Sequence, residues 1–335
     1  METVENNHTE RKQTLNQIIP LDSFLSPNDL NAILQILNRA YPVKCDRLTL
    51  HRDMIGFVYI ATSGVQKYVL KLYRSFDTEN ALRAAGIMEY LQQSGYPVAT
   101  ILPTATGERH ITMQTTQGPA AAILFEFVEG AEPDFEQDME QIGQQAGLLH
   151  RIMEGYPEPL IYHGKDFYVD RYIAILHELN YPAGRIDALD VYGSALWGRM
   201  ERLPRGFCHG DFHSGNMRKT EDGAFVLFDF DAASHTCSTI DVATTCDGSN
   251  FNRFDAAAYE RTLRRFDRFY HGYRCKQTLT DAEIRGIFDF IPVRHYEIIA
   301  TITRCQGLEE LSTAFLDEQY DWLMRWQDLC GQRAV

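Results

Sequence analysis

Residues 207–217 read Phe207-Cys208-His209-Gly210-Asp211-Phe212-His213-Ser214-Gly215-Asn216-Met217, and a second stretch reads Val226-Leu227-Phe228-Asp229-Phe230-Asp231. The first is a polar loop punctuated by two glycines; the second is a short apolar strand ending in acidic residues. A β-hairpin joining them would bring Asp211, Asn216 and Asp229 together. Two carboxylates and a carboxamide are hard oxygen donors of the kind Mg²⁺ takes. A carboxylate not needed by the metal could accept the proton of an incoming hydroxyl. His209 and His213 flank Asp211 four residues apart, but Gly210 and Gly215 argue against a helix presenting both imidazoles to zinc. Asp231 is either a further carboxylate near the metal or a helix cap.

The pattern H-G-D-x-x-x-x-N followed by hydrophobic-D-x-D resembles the aminoglycoside phosphotransferase and choline kinase family, with type II homoserine kinases and bacterial stress-response kinases among its relatives. The likeness continues through Ile240-Asp241-Val242-Ala243. It implies an α+β, bilobal protein-kinase-like fold, with a small antiparallel-sheet lobe followed by a mainly helical one. It also implies that Asp211 is the catalytic base, that Asn216 and Asp229 hold the metal, and that Asp241 braces the catalytic loop. The cofactors implied are ATP and Mg²⁺, and the acceptor is a hydroxyl of a small molecule: an amino alcohol, an amino acid or an aminoglycoside. Two alternatives stand beside this reading: a kinase-like scaffold without turnover, and a protein Ser/Thr kinase of the stress-response type.

Upstream, Lys71 in Val69-Leu70-Lys71-Leu72-Tyr73 lies on a strand, where the resemblance places the lysine that contacts the nucleotide phosphates. Its usual glutamate partner falls at Ala84 or Ala85. Glu79, one turn earlier, is the substitute this reading leans towards, and Glu89 lies on another face. The phosphate-covering loop carries only Gly56, within Asp53-Met54-Ile55-Gly56-Phe57-Val58-Tyr59. Ile123 to Gly130 resembles the hinge between lobes, which makes the backbone groups at Glu126 and Val128 the contacts for adenine. His150, in Ala146-Gly147-Leu148-Leu149-His150, reads as a structural hydrogen-bonder.

With the resemblance, the chain divides into residues 1–22 as a flexible extension, 23–128 as the lobe that the resemblance makes nucleotide-binding, and 129–335 as a helical lobe. Ser26-Pro27 opens a helix whose Leu30, Ile33, Leu34 and Leu37 share a face. Strands at 57–60 and 68–73 flank a Thr62-Ser63-Gly64 turn, a helix spans 78–93, and further strands fall near 109–114 and 121–128. Asp134 caps a helix through Leu149. Others are expected at 167–179, 185–202, 255–271, 281–303 and 307–329. Asp255, Tyr259, Glu309, Glu310, Tyr320, Asp321, Trp322 and Trp326 are candidates for holding a cationic acceptor.

Composition narrows the partners. With 32 basic and 46 acidic residues the formal charge is −14, which favours neither nucleic acid nor anionic lipid. Apolar residues make up 44% of the chain, as a globular enzyme needs. Seven cysteines without a C-x-x-C pair read as reduced thiols. With no apolar leader and no run near the roughly 20 residues of a membrane span, the expected location is the cytoplasm. The oligomeric state is left open.

Overall fold

A computed structural model describes residues 27–53, 56–308 and 311–333. The expected extension, the Ser26 cap, Met54 and Ile55 of the phosphate loop, and the acceptor candidates Glu309 and Glu310 lie outside the described residues. Two compact units meet between Glu129 and Gly130.

The first unit begins with helix α1 (Pro27–Ala40), followed by strands β1 (Arg47–Arg52), β2 (Phe57–Ser63) and β3 (Gln66–Leu72). Helix α2 (Thr78–Gln93) precedes β4 (Ile111–Thr115) and β5 (Gly118–Glu126). The five strands form one antiparallel sheet in the order β1-β2-β3-β5-β4. The β2–β3 register runs to Ser63↔Gln66, so the turn is Gly64-Val65, with Gly64 in the left-handed region at φ 61. Alternation along β3 sorts its side chains between two layers. Leu70 and Leu72 join Ile33 and Leu37 of α1 in one core, and the opposite face is packed by Tyr73, Ala121 and Ile123 against Ala81 and Ala85 of α2. Lys71 lies between Leu70 and Leu72 in sequence and pairs across the ladder with Ile123, so it belongs to the α2 face. The small residues of α2 let that helix sit close to the sheet.

The second unit starts with α3 (Met139–Met153). This helix begins later than the sequence suggests. Asp134 instead makes a turn, accepting from the Glu136 N–H at 2.7 Å, and Asp138 occupies the cap position. A π-turn (Asp166–Asp170) leads into α4 (Arg171–Glu178), and α5 (Ala183–Met200) follows. Short strands β6 (Phe207–Cys208), β7 (Met217–Lys219), β8 (Phe225–Leu227) and β9 (Ser234–His235) then surround the polar loop. Helix α6 (Thr239–Cys246) was not expected; α7 (Ala258–Tyr273), α8 (Asp281–Gln306) and α9 (Thr313–Arg333) complete the unit.

Two contacts tie these helices together. A Cβ on Gly143 of α3 would stand 2.0 Å from the Phe269 carbonyl oxygen, and one on Gly272 of α7 would stand 1.8 Å from that of Glu140. The two main chains therefore touch. In α8, Pro292 has no N–H to offer the carbonyl of Phe288, four residues earlier. That carbonyl instead accepts the indole N–H of Trp326 in α9 at 3.2 Å. Trp326 stacks on Trp322, which stacks on His295, so the two tryptophans proposed for acceptor recognition are core residues.

Candidate active site

The loop after β6 is built around Asp241. This fully buried carboxylate, on the first turn of α6, accepts the His209 N–H at 2.7 Å and the Gly210 N–H at 2.9 Å. His150 Nε2 meets its Oδ2 at 3.0 Å, and Nδ1 of the same ring meets the Tyr273 hydroxyl at 2.8 Å. These hydrogen bonds are the bracing that the sequence suggests for Asp241. Gly210 has φ +79, and a Cβ there would sit 2.3 Å from the Ala232 carbonyl oxygen. Glycine is therefore required where the loop crosses the segment after β8.

His209 joins the two stretches. Its ring N–H at Nε2 donates to the Phe228 carbonyl at 3.1 Å, while Nδ1 accepts the Asp211 N–H at 3.3 Å. Burial pushes the imidazole pKa down, which suits this neutral tautomer. The β7–β8 hairpin pairs Met217 with Leu227, and the Phe228 N–H donates to the Asn216 carbonyl at 3.1 Å. Asp229 follows at once in the left-handed region, at φ 66 and ψ 62. That conformation is uncommon outside glycine and tends to be kept where function requires it.

Asn216 donates through Nδ2 to the Asp211 carbonyl at 3.0 Å and to Asp211 Oδ2 at 2.8 Å. Its amide nitrogen, and not its oxygen, therefore faces Asp211. Asp211 also meets His213 Nε2 at 3.3 Å and Arg294 through Oδ1. Burial opposes the charge on Asp211, but the His213 hydrogen bond and the Arg294 guanidinium outweigh it and hold the carboxyl well below the usual carboxylate range. Among the described residues no group of three or more His, Cys, Asp or Glu is arranged to hold a metal.

A cavity of about 240 Å³ opens beside this carboxylate. Asp211, His213 and Arg294 line it together with Asp247, Phe290 and Ile291. Burial raises the Asp247 pKa, against the hydrogen bonds from Ser249. The hydroxyl of Thr244, also on the wall, is buried without a protein partner. Asp247 and Arg294 are absent from the sequence reading. One signal was available for Arg294: it lies three residues after Ile291 and four before Ile298, a cation on an apolar helical stripe.

The remaining candidates lie in the first unit. Lys71 Nζ lies 5.1 Å from the Tyr73 ring centroid. Glu79 does not hold a sheltered position: its side chain is 86% exposed and its carboxylate is ion-paired with Arg83 at 2.9 Å, one turn along α2. Ala84 and Ala85 are buried, and Glu89 pairs with Arg109. The Glu126 N–H donates to the Thr100 carbonyl at 2.9 Å. Val128 follows the end of β5. Among the described residues no helix is long and apolar enough to cross a membrane.

Residues 49–276 match the family described as "Phosphotransferase enzyme family". An uncharacterized protein of Deinococcus radiodurans is 25% identical over 93% of each chain. An amicoumacin kinase, solved in complex with AMP-PNP, Ca²⁺ and Ami, superposes with a TM-score of 0.71 at 21% identity over 96% of each chain. A microcompartment-associated aminopropanol kinase gives a TM-score of 0.71 at 18% identity, covering 88% of this chain and 94% of its own. These structures share the α+β fold described above.

Proposed function

The chain belongs to the phosphotransferase enzyme family, and we propose that it transfers the γ-phosphoryl group of ATP to a hydroxyl of a small molecule. The observation that carries this reading is the setting of Asp211, an ionised carboxylate held by Asn216 and His213 on the wall of an open cavity. Asp211 orients the acceptor hydroxyl and takes its proton as the new oxygen–phosphorus bond forms, while the bond from the γ-phosphorus to the bridging oxygen breaks and ADP leaves. Asn216 and Asp229 would hold Mg²⁺, which when bound offsets charge on the phosphate oxygens. Lys71, by the resemblance, would contribute a point charge towards nucleotide phosphates. Adenine is held by main-chain groups, with Val128 and the carbonyl of Glu126 as candidates, since the Glu126 N–H is committed to Thr100.

The acceptor occupies the cavity. At about 240 Å³ it accommodates a short hydroxyl compound. Asp247 offers oxygens to an amine or ammonium group, and Phe290 and Ile291 pack its carbon chain. The test is ADP formation from Mg-ATP against ethanolamine, choline, 1-amino-2-propanol, homoserine and spectinomycin. Turnover with one of the four short compounds is expected. If none of the five raises ADP formation above the level without acceptor, the reading fails.

A scaffold without turnover draws support from Ala84 and Ala85, which leave no carboxylate at the usual position beside the lysine. Thermal stabilisation by Mg-ATP, measured alongside turnover, separates the two: a scaffold binds nucleotide and yields no ADP.

A further inference from the structure

One group at the site is unexplained by base, metal and nucleotide. Arg294 projects from α8, 83 residues beyond Asp211, and its guanidinium spans two neighbouring residues of the catalytic loop. Nη2 donates to Asp211 Oδ1, and Nη1 donates to the Gly210 carbonyl at 2.9 Å. Nη1 also meets Glu297 Oε2 at 3.0 Å. Glu297 is itself anchored: its Oε1 accepts the Thr301 hydroxyl at 2.8 Å and lies 3.5 Å from Arg171 Nη2. Arg171 in turn donates to the Phe167 carbonyl at 2.7 Å and stacks on the Phe167 ring. Charges of alternating sign thus run from α4 through α8 to the catalytic loop.

We infer that Arg294 is a positioning residue: its planar fork locks the Asp211 carboxylate against the loop's own main chain and offers the acceptor hydroxyl a single orientation of that carboxylate. The inference rests on the phosphotransfer reading. A guanidinium suits the task because its donors are rigidly spaced, so one group can hold a carboxylate and a carbonyl at once; a lysine ammonium has the charge without the fork. Glu297 keeps the guanidinium from swinging into the cavity and shares its charge, so that Asp211 is oriented without losing all its proton affinity to a lone cation.

The test compares Arg294→Met, Arg294→Lys and Glu297→Gln with wild type. ADP formation is followed with the best acceptor of the panel and with water as acceptor. A misplaced base costs on the order of 100-fold, so Arg294→Met should lower kcat by about that factor while the KM values for Mg-ATP and acceptor stay within about 3-fold. Arg294→Lys and Glu297→Gln should fall between it and wild type. In an Asp211→Asn background, adding Arg294→Met should cost less than about 2-fold more, since a residue acting through Asp211 has nothing left to act on. An unchanged kcat overturns the assignment, as does a rise in acceptor KM alone, or losses that multiply in the Asp211→Asn background. Should Arg294→Met fail to fold by circular dichroism, the other two variants and their combinations with Asp211→Asn decide by the same criteria. A wild-type protein with neither transfer nor hydrolysis defeats the phosphotransfer reading, and this inference with it. An active wild type with unaffected variants defeats the positioning role alone.

Discussion

His150 Nε2 lies 3.0 Å from Asp241 Oδ2, although 91 residues separate the two in sequence. The same oxygen accepts the His209 N–H, so a histidine on α3 and the main chain of the polar loop share one buried carboxylate. Asp241→Asn removes that charge and turns an NH₂ towards a donor. Breaking a buried charged cluster costs about 3–5 kcal/mol, and urea unfolding of the variant should show a loss of that order. A loss below about 1 kcal/mol, the size of an ordinary hydrogen bond, would mean the loop is held by other contacts.

Asp211→Asn should keep its thermal stabilisation by Mg-ATP while kcat falls by roughly 10² to 10⁴, the range for a positioned base. Retention of wild-type kcat rejects the role given to Asp211.

Asp229 carries two opposing features, a carboxylate suited to the cation and a left-handed backbone that suits glycine. Asp229→Gly and Asp229→Ala should therefore both lose metal-dependent stabilisation by ATP. Without nucleotide they should part, because alanine meets the left-handed penalty of about 1–2 kcal/mol and glycine does not. Differential scanning fluorimetry, run with and without Mg-ATP, reads both effects. Equal melting points for the two apo variants would count against the strained backbone.

Glu79, exposed and shared with Arg83, should behave as surface. Glu79→Gln is expected to shift stability by less than about 0.5 kcal/mol and to leave turnover unchanged, whereas Lys71→Ala should lose most activity. A fall in turnover for Glu79→Gln comparable to that of Lys71→Ala would restore Glu79 as the partner of the lysine.

His295 gives a pH dependence of stability. Burial pushes its imidazole down to about 3, against the hydrogen bond to Gln319. The unfolded chain takes up this proton near pH 6.5 and the folded chain does not. Stability from this residue is therefore intact above about pH 6.5 and lost progressively as pH falls towards 3, about 2 kcal/mol of it by pH 5. Unfolding free energies at pH 7.5 and 5 should differ less in His295→Asn than in wild type. Equal differences would show that His295 titrates normally.

The part of the site that sequence reveals is the part whose chemistry needs particular residue types close together along the chain. Asp211, Asn216 and Asp229 lie within nineteen residues of one another, and Asn216 hydrogen-bonds Asp211 directly. Helices with one buried face were equally legible, as in Leu30 to Leu37 of α1. Helix α6 was missed because nearly all of it is buried, which erases the polar–apolar period, and because its threonines, Ile240 and Val242 favour strands locally. The start of α3 was misplaced because Asp134 and Asp138 are both plausible caps, and the choice depends on a turn that Asp134 closes on itself. Arg294 and Asp247 were missed for another reason. Their roles exist only once α6 and α8 lie against the loop, and nothing local in the sequence says which helical stripe will face it.

The touching main chains at Gly143 and Gly272 give the site a fixed length standard. Tyr273 follows Gly272 directly, and His150 stands two turns along α3 from Gly143, so the spacing of those helices is carried through the Tyr273 hydroxyl and the His150 ring to Asp241. Side chains in a packed core can absorb a small misfit by changing rotamer, but main chain pressed on main chain has no such adjustment. An added methyl at Gly272 would stand 1.8 Å from a carbonyl oxygen, and the helices could only move apart. The loop after β6 thus inherits its tolerance from a contact that has none to spare, two helices away from Asp211.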